Sequence, residues 1–409
     1  VNVGGKRTLF FLLAGLACIT ALLFRFMGAN AWRLWNVPVM SPSFADMRSI
    51  LAGVEAERLG YDPLYQNPLD PFGRVMAYPR LWLLLGMFNL NQNDTVFLAG
   101  LELALFVVAL FVFLDHFDRF TAFLIALLAI SPAAMLCYER ANNDLIAFFL
   151  LACALALAPL SRMISFSLIE LTAFLKLYPI VALSCFLRES KKSLVAWLSG
   201  GLAIFGLYAL LTWRDIRQIL AMAPKGVEFN YGVTVIGLWV WNITGSRQMA
   251  NIVFSFCYLL LYVLMIFLLH RSYLDRHGLQ AKNLRALDAF RVGVLIYIAT
   301  FLQGNTWNYR FIFLVFAVPQ LVEWSRTHGV TRMTLASLMI SAWAMIFQSN
   351  SPGVADLRAV VPFLADEISN WSLLAGLTYL LFASLPDWIR EEIRRFFLKY
   401  TRRPAAINP

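Results

Sequence analysis

Three cations, Arg140, Lys176 and Arg310, lie in short polar phrases between long apolar runs: Tyr138-Glu-Arg-Ala-Asn-Asn-Asp144, Phe174-Leu-Lys-Leu-Tyr-Pro179 and Trp307-Asn-Tyr-Arg310. Cations brought from different segments to one membrane surface suit a phosphate, which they hold by charge-assisted hydrogen bonds. Arg80 is a fourth candidate for that role. Glu139 and Asp144 either orient these cations or simply pair with them inside a helix bundle; for Lys176, beside a helix break at membrane depth, a partner is costly to lack. Asp46 opens a stretch in which Ile50, Leu51, Val54 and Leu59 recur at helical spacing. An acid in that place serves as a general base at the membrane surface, or as a helix cap, or as a first-turn acid favoured by the helix dipole. Asn143 belongs to the same phrase as Asp144. Tyr78, Tyr178, Trp307 and Tyr309 are candidate substrate-binding or orienting aromatics, or anchor the interface as such aromatics commonly do. Asn230 and Tyr231 would offer hydrogen-bonding groups to a substrate, or make an ordinary Asn-Tyr-Gly turn.

These phrases need helices to hold them. Of 409 residues 60% are hydrophobic and 14% charged, and about ten apolar runs approach the length needed to cross a bilayer. The pattern predicts an all-α polytopic membrane protein with about ten full transmembrane helices: residues 8–27, 95–114, 120–137, 142–158, 193–212, 249–270, 292–302, 309–323, 333–347 and 371–385. The first run follows Lys6 and Arg7 and reads as a helix, since no small-residue cleavage site follows it. Two apolar segments fit badly. Residues 78–90 are too short to cross, and 163–187 are interrupted by Lys176 and Pro179, whose ring and missing N–H oppose a continuous helix. Read as broken or re-entrant elements, they put Arg140, Lys176 and Arg310 on one outer side and gather most Lys and Arg on the side of both termini, as the positive-inside rule asks. Read as ordinary spans, they would move Arg140 to the cytoplasm.

On this threading, residues 1–386 form one membrane domain with a first external loop over 28–94 that carries an amphipathic helix. Two further external segments cover 213–248 and 348–370. Residues 387–409 interleave Trp388, Ile389 and Ile393 with bases, the pattern of a helix lying on an anionic inner leaflet. The net charge of +10 is spread through short loops, which argues against nucleic acid. The five cysteines sit in apolar segments without Cys-x-x-Cys spacing and read as packing residues.

An acid opening a helix, Gly60-Tyr-Asp-Pro-Leu-Tyr65 about fifteen residues later, and Tyr78-Pro79 before a short apolar run resemble the first external loop of the polyprenol-phosphate-sugar-dependent glycosyltransferases of the C-type fold, in their mannosyltransferase-like branch. The resemblance extends through Asn142-Asn-Asp144, Leu175-Lys-Leu-Tyr-Pro179, Asn230-Tyr-Gly-Val-Thr-Val-Ile-Gly237 and Trp307-Asn-Tyr-Arg310, over residues 46–319. It implies that Asp46 is the catalytic base. The family often carries a His near that last phrase; here Asn308, Tyr309 and Arg310 stand there, so no His-dependent step and no metal are expected.

The expectation is an integral-membrane glycosyltransferase, without cofactor, that moves a mannose-like sugar with inversion from a polyprenyl-phosphate donor to a glycan or glycolipid acceptor. Its site would lie on the periplasmic face of a bacterial inner membrane. No phosphate-cradling glycine loop for a nucleotide sugar is present. Two other readings remain open: a transporter or flippase of a polar lipid or solute, which broken helices and mid-membrane charge also suit, and a lipid-linked glycan polymerase or ligase.

Overall fold

The computed structural model describes residues 4–274, 279–348 and 357–401, so residues 349–356 of the third external segment and 402–409 of the basic tail lie outside the described residues. The helices run in the order α1 (Gly4–Met27), α2 (Ala45–Arg58), α3 (Thr95–Val112), α4 (Arg119–Ala129), α5 (Pro132–Arg140), α6 (Asp144–Leu157), α7 (Arg162–Lys176) and α8 (Lys191–Leu211). They continue as α9 (Trp213–Met222), α10 (Val235–Thr244), α11 (Arg247–Leu274), α12 (Leu284–Leu302), α13 (Val318–Ser325), α14 (Gly329–Trp343), α15 (Leu357–Ala383) and α16 (Asp387–Thr401). Tighter 3-10 segments occupy Arg80–Phe88, Tyr178–Phe186 and Asn308–Ala317. The only strands among the described residues are two dipeptides, paired antiparallel as Asn230 with Trp307 and Tyr231 with Thr306.

Among the described residues five helices are long and apolar enough to cross a membrane: α1 with the turn after it, α3, α8, α11, and α14 with the turn after it. The bent pairs α4–α5, at 51°, and α15–α16, at 99°, bring the number to seven. This is a multi-pass membrane protein with fewer free-standing spans than the ten expected. The three runs that fall short are internal. The helix α6 has 14 residues, α12 carries Arg285, Asp288 and Arg291 in its first turns, and 309–323 is a 3-10 segment followed by a short helix. Neighbours enclose them, so each needs neither a full bilayer length nor an apolar outer face; on α12 most side chains are buried.

Both badly fitting segments turn back. In the first, Arg80–Phe88 packs on α2 through Val54 and Leu83, with Arg58 donating to the Gly86 carbonyl at 2.8 Å, and it stays at the end of the bundle that holds α2. In the second, α7 rises about 22 Å over its 15 residues. It stops at Leu177, whose φ of 64° lies in the left-handed region, and returns as Tyr178–Phe186. Arg162 and Glu189, at the two feet of this excursion, form an ion pair at 2.8 Å. Arg140 and Lys176 therefore stand at the same end as α2.

The helix α2 is buried on most of its faces. Met47 and Leu51 meet Leu98, Ala99 and Ala141, and Val54 meets Leu64, Met76, Leu83 and Ile219 of the loop and α9. Leu59, expected on this apolar face, is 64% exposed just past the helix end.

Candidate functional site

A cavity of about 1040 Å³ opens at the α2 end, between the first loop, the break after α7, the strand pair, and the α10–α11 hairpin. Among the described residues six cations line it, Arg74, Arg140, Lys176, Lys225, Arg247 and Arg310, with one carboxylate, Asp46. Tyr78, Tyr178, Trp307 and Tyr309 line it too, the last two stacked nearly parallel with centroids 6.3 Å apart.

Asp46 does not cap its helix. The residue before the first turn is Phe44, in the left-handed conformation and with no side-chain cap bond. The Asp46 carboxylate is held from the side: Asn142 Nδ2 donates to Oδ2 at 2.6 Å, and Arg74 Nη1 lies 3.5 Å from Oδ1. Arg74 is itself fixed by the buried Asp70, at 3.2 Å. Burial acts to lower the Arg74 guanidinium, but its hydrogen bond to Asp70 and the charge of Asp46 outweigh this and raise it above its ordinary value. Burial first, and the negative Asp46 next, push the Tyr78 hydroxyl well up.

Asn142 joins the first loop to the bundle. Its Oδ1 accepts from Lys176 Nζ at 3.1 Å and from the Asp144 N–H at 3.0 Å. Lys176 also lies 2.9 Å from Asp144 Oδ1 and over the Tyr78 ring, at 5.2 Å. Asp144 is fully buried; it accepts from Tyr178 Oη at 2.6 Å and faces Arg310 Nε at 3.6 Å. Arg310 spreads over the Tyr178 ring at 4.7 Å. Arg140 pairs with its neighbour Glu139, whose other oxygen accepts the Met40 N–H. The acids Asp70, Glu139 and Asp144 thus stand behind the wall and the cations form it. Every one of the three expected cations has a carboxylate partner, and every one also reaches the cavity.

Three of these side chains follow or adjoin backbone that L-residues seldom adopt: Phe44 at φ 64° near Asp46, Ala141 at 43° before Asn142, and Leu177 at 64° after Lys176. Such conformations cost free energy and persist where surrounding packing dictates them. Here they aim helix-end side chains across a gap and into one network.

Other expected site residues lie elsewhere. Arg80 does not line the cavity; it bridges Asp62 at 2.8 Å and Asp215 at 2.7 Å, tying the loop to α9. Tyr231 is wholly buried, stacked on Tyr297 and Phe311, with its hydroxyl bonded to Thr300. Asn230 is buried beside it. Their phrase is a packing turn, because Gly232 at φ 130° passes so close to Gly304 that a Cβ would meet its carbonyl at 2.4 Å. Asn143 is buried behind Asp144, with its side-chain amide unpaired. Sequence reasoning missed Arg74, Asn142, Lys225 and Arg247. Asn142 had a signal, its place in a polar phrase between helices; Arg74 sits among turn residues that gave none.

Among the described residues no three metal-ligating side chains converge. Comparison with protein-family models, with curated proteins and with solved structures returns no match to this chain.

Proposed function

We propose that the protein is a membrane glycosyltransferase of the C-type, mannosyltransferase-like kind, taking its sugar from a polyprenyl-phosphate donor, with the cavity end on the exoplasmic side. The observation that carries this reading is the cavity wall, where Asp46, in the first turn of α2 but not its cap, is the one described carboxylate among six cations, four of them backed by acids. Asp46 takes the proton of an acceptor hydroxyl as its oxygen attacks the anomeric carbon. The bond from that carbon to the phosphate oxygen breaks, and its electron pair leaves on the lipid phosphate, stabilised by Lys176, Arg310 and Arg140. The configuration inverts, and no general acid is required because the phosphate leaves as a weak base. Asn142 and Arg74 hold the base, and Trp307 with Tyr309 offers a stacked face for the sugar.

Asp46→Asn tests the reading. It keeps the size of the side chain and an acceptor oxygen but removes the base, so turnover falls by on the order of 100-fold with donor binding retained. Transfer at the parental rate would leave Asp46 a structural residue. A parent protein that transfers no sugar from any lipid-phosphate donor, yet carries such lipids between leaflets, would establish the transporter reading in its place.

A further inference from the structure

The six cations of the cavity fall into two groups. Arg74, Arg140, Lys176 and Arg310 each have a carboxylate partner. Lys225 and Arg247 line the same cavity and have no carboxylate partner among the described residues. Both are exposed where the other four are half-buried, and so mark its outer part, one on the loop after α9 and the other at the first residue of α11.

Neither position is loose. The turn that carries Lys225 is clamped by Asn305, whose side chain accepts the Gly226 N–H at 3.0 Å and donates to the Gly226 carbonyl. Arg247 begins a 28-residue helix, and Ser246 caps that helix by accepting the Met249 N–H. A cation at a helix N-terminus meets the positive end of the dipole, an unfavourable placement that an anion in front of it reverses. The cavity face continues down α11 through Asn251, Phe254 and Tyr258, spaced as one helical stripe, with Trp241 of α10 opposite. This outer part therefore joins two exposed cations, carried on a clamped turn and a helix start and without an acid partner among the described residues, to an amide and aromatic rings. An anion there meets cations that no described acid neutralises, so its binding displaces no partner among the described residues.

We propose that Lys225 and Arg247 form a second anion site, distinct from the Lys176–Arg310 group, which takes a phosphate-class anion on the acceptor. The assignment to the acceptor rests on the glycosyltransferase reading; the anion site itself does not. With the leaving phosphate held beside Asp46 at the inner group, the remaining substrate enters past the outer pair, and its charged group is held there while its hydroxyl reaches the base.

Binding of two probes to the purified chain in a neutral maltoside detergent tests this. The probes are a short-chain polyprenyl phosphate and dihexanoyl-phosphatidylglycerol, a phosphodiester lipid. The double variant Lys225→Gln/Arg247→Gln should weaken binding of the diester about tenfold or more and change the polyprenyl phosphate less than about twofold. Lys176→Gln should do the reverse. The charge-keeping pair Lys225→Arg/Arg247→Lys should restore most diester binding, which separates charge from folding. Competition by inorganic phosphate identifies the phosphate group alone as the ligand; competition only by a second diester lipid identifies the whole headgroup. A double variant that binds the diester like the parent, or that loses both probes equally, overturns the second site. A parent that binds the diester through this pair but shows no saturable binding of polyprenyl phosphate counts against the transferase reading alone.

Discussion

At one end of the molecule Asp144 sits between Lys176 and Arg310; at the other, Asp288 sits between Arg188 and Arg291. Both acids are buried, and both serve two cations. The surroundings differ. Arg188 grips Asp288 through two nitrogens and closes the turn before α8 onto the start of α12, while Arg291 donates to the Ser384 carbonyl beyond α15. Those contacts join chain segments. Around Asp144 the partners are Asn142 and Tyr178, the cations lie over tyrosine rings, and both cations line the cavity. The same local chemistry locks loops at one end and forms a charged wall at the other. Other pairs at the Asp288 end, Arg285–Asp115, Arg326–Asp118 and Arg162–Glu189, also join separate connections. A shared buried acid is therefore no mark of function by itself; what its cations face decides.

The two aspartates give the largest test. Asp144→Asn and Asp288→Asn each leave buried cations uncompensated, a loss of about 3 to 5 kcal/mol in stability. Thermal melting should drop for both. Only Asp144→Asn should also weaken polyprenyl-phosphate binding in the fraction that stays folded. Parental donor affinity in folded Asp144→Asn would erase the contrast between the two ends.

A smaller effect is expected when the wall itself is altered. Lys176→Ala should cost roughly 1.5 to 3 kcal/mol of donor affinity for a lost charge-assisted hydrogen bond. Arg188→Gln, its counterpart at the far end, should leave donor affinity unchanged while lowering the melting temperature. Below these comes Asn142→Ala. It removes the link between Asp46 and Lys176 without removing either, so turnover should fall by about tenfold, on the order of one hydrogen bond, with donor affinity nearly kept. A larger loss of donor affinity than of turnover would place Asn142 on the phosphate instead of behind the base.

Much of this arrangement is legible in the sequence because polar residues at membrane depth are rare and costly, and so point to each other. Arg140, Lys176 and Arg310 sit at helix ends between apolar runs, and they reach the same cavity as Asp46, Tyr78, Tyr178, Trp307 and Tyr309. The return of 163–187 is legible in Lys176 and Pro179. Three things escape. The buried legs α6, α12 and 309–323 look like spans in composition but are enclosed by neighbours, and one-dimensional hydropathy cannot distinguish lipid from protein around a helix. In the first loop, Arg74 and Arg80 are equivalent by type and setting, and only the fold turns the first to Asp46 and the second to Asp62 and Asp215. Asn230 and Tyr231 carry the polar groups of a sugar site, yet the close pass of Gly232 over Gly304 draws them into the core.

The smallest predicted effect belongs to Arg80. Its partners are part-exposed, and exposed ion pairs contribute up to about 1 kcal/mol. Arg80→Gln should therefore lower stability slightly and leave donor affinity untouched. Acid gives the tie a signature. Burial acts to raise Asp62, but the hydrogen bond and charge of Arg80 prevail and hold it below its ordinary 3.8. A carboxyl lowered in the folded state adds stability that is full above the unfolded value and is lost as pH falls through the folded one. Between pH 5 and pH 8 the parent and Arg80→Gln should thus keep a constant gap in melting temperature. Below 3.8 the gap should close, since the parent loses what the variant already lacks. A gap that persists in acid would remove the Asp62 tie as its source. If Arg80→Gln weakened the donor instead, the arginine would have to leave Asp62 and Asp215 for the cavity during binding, and the division between charges that tie the loop and charges that form the wall would fail at this residue.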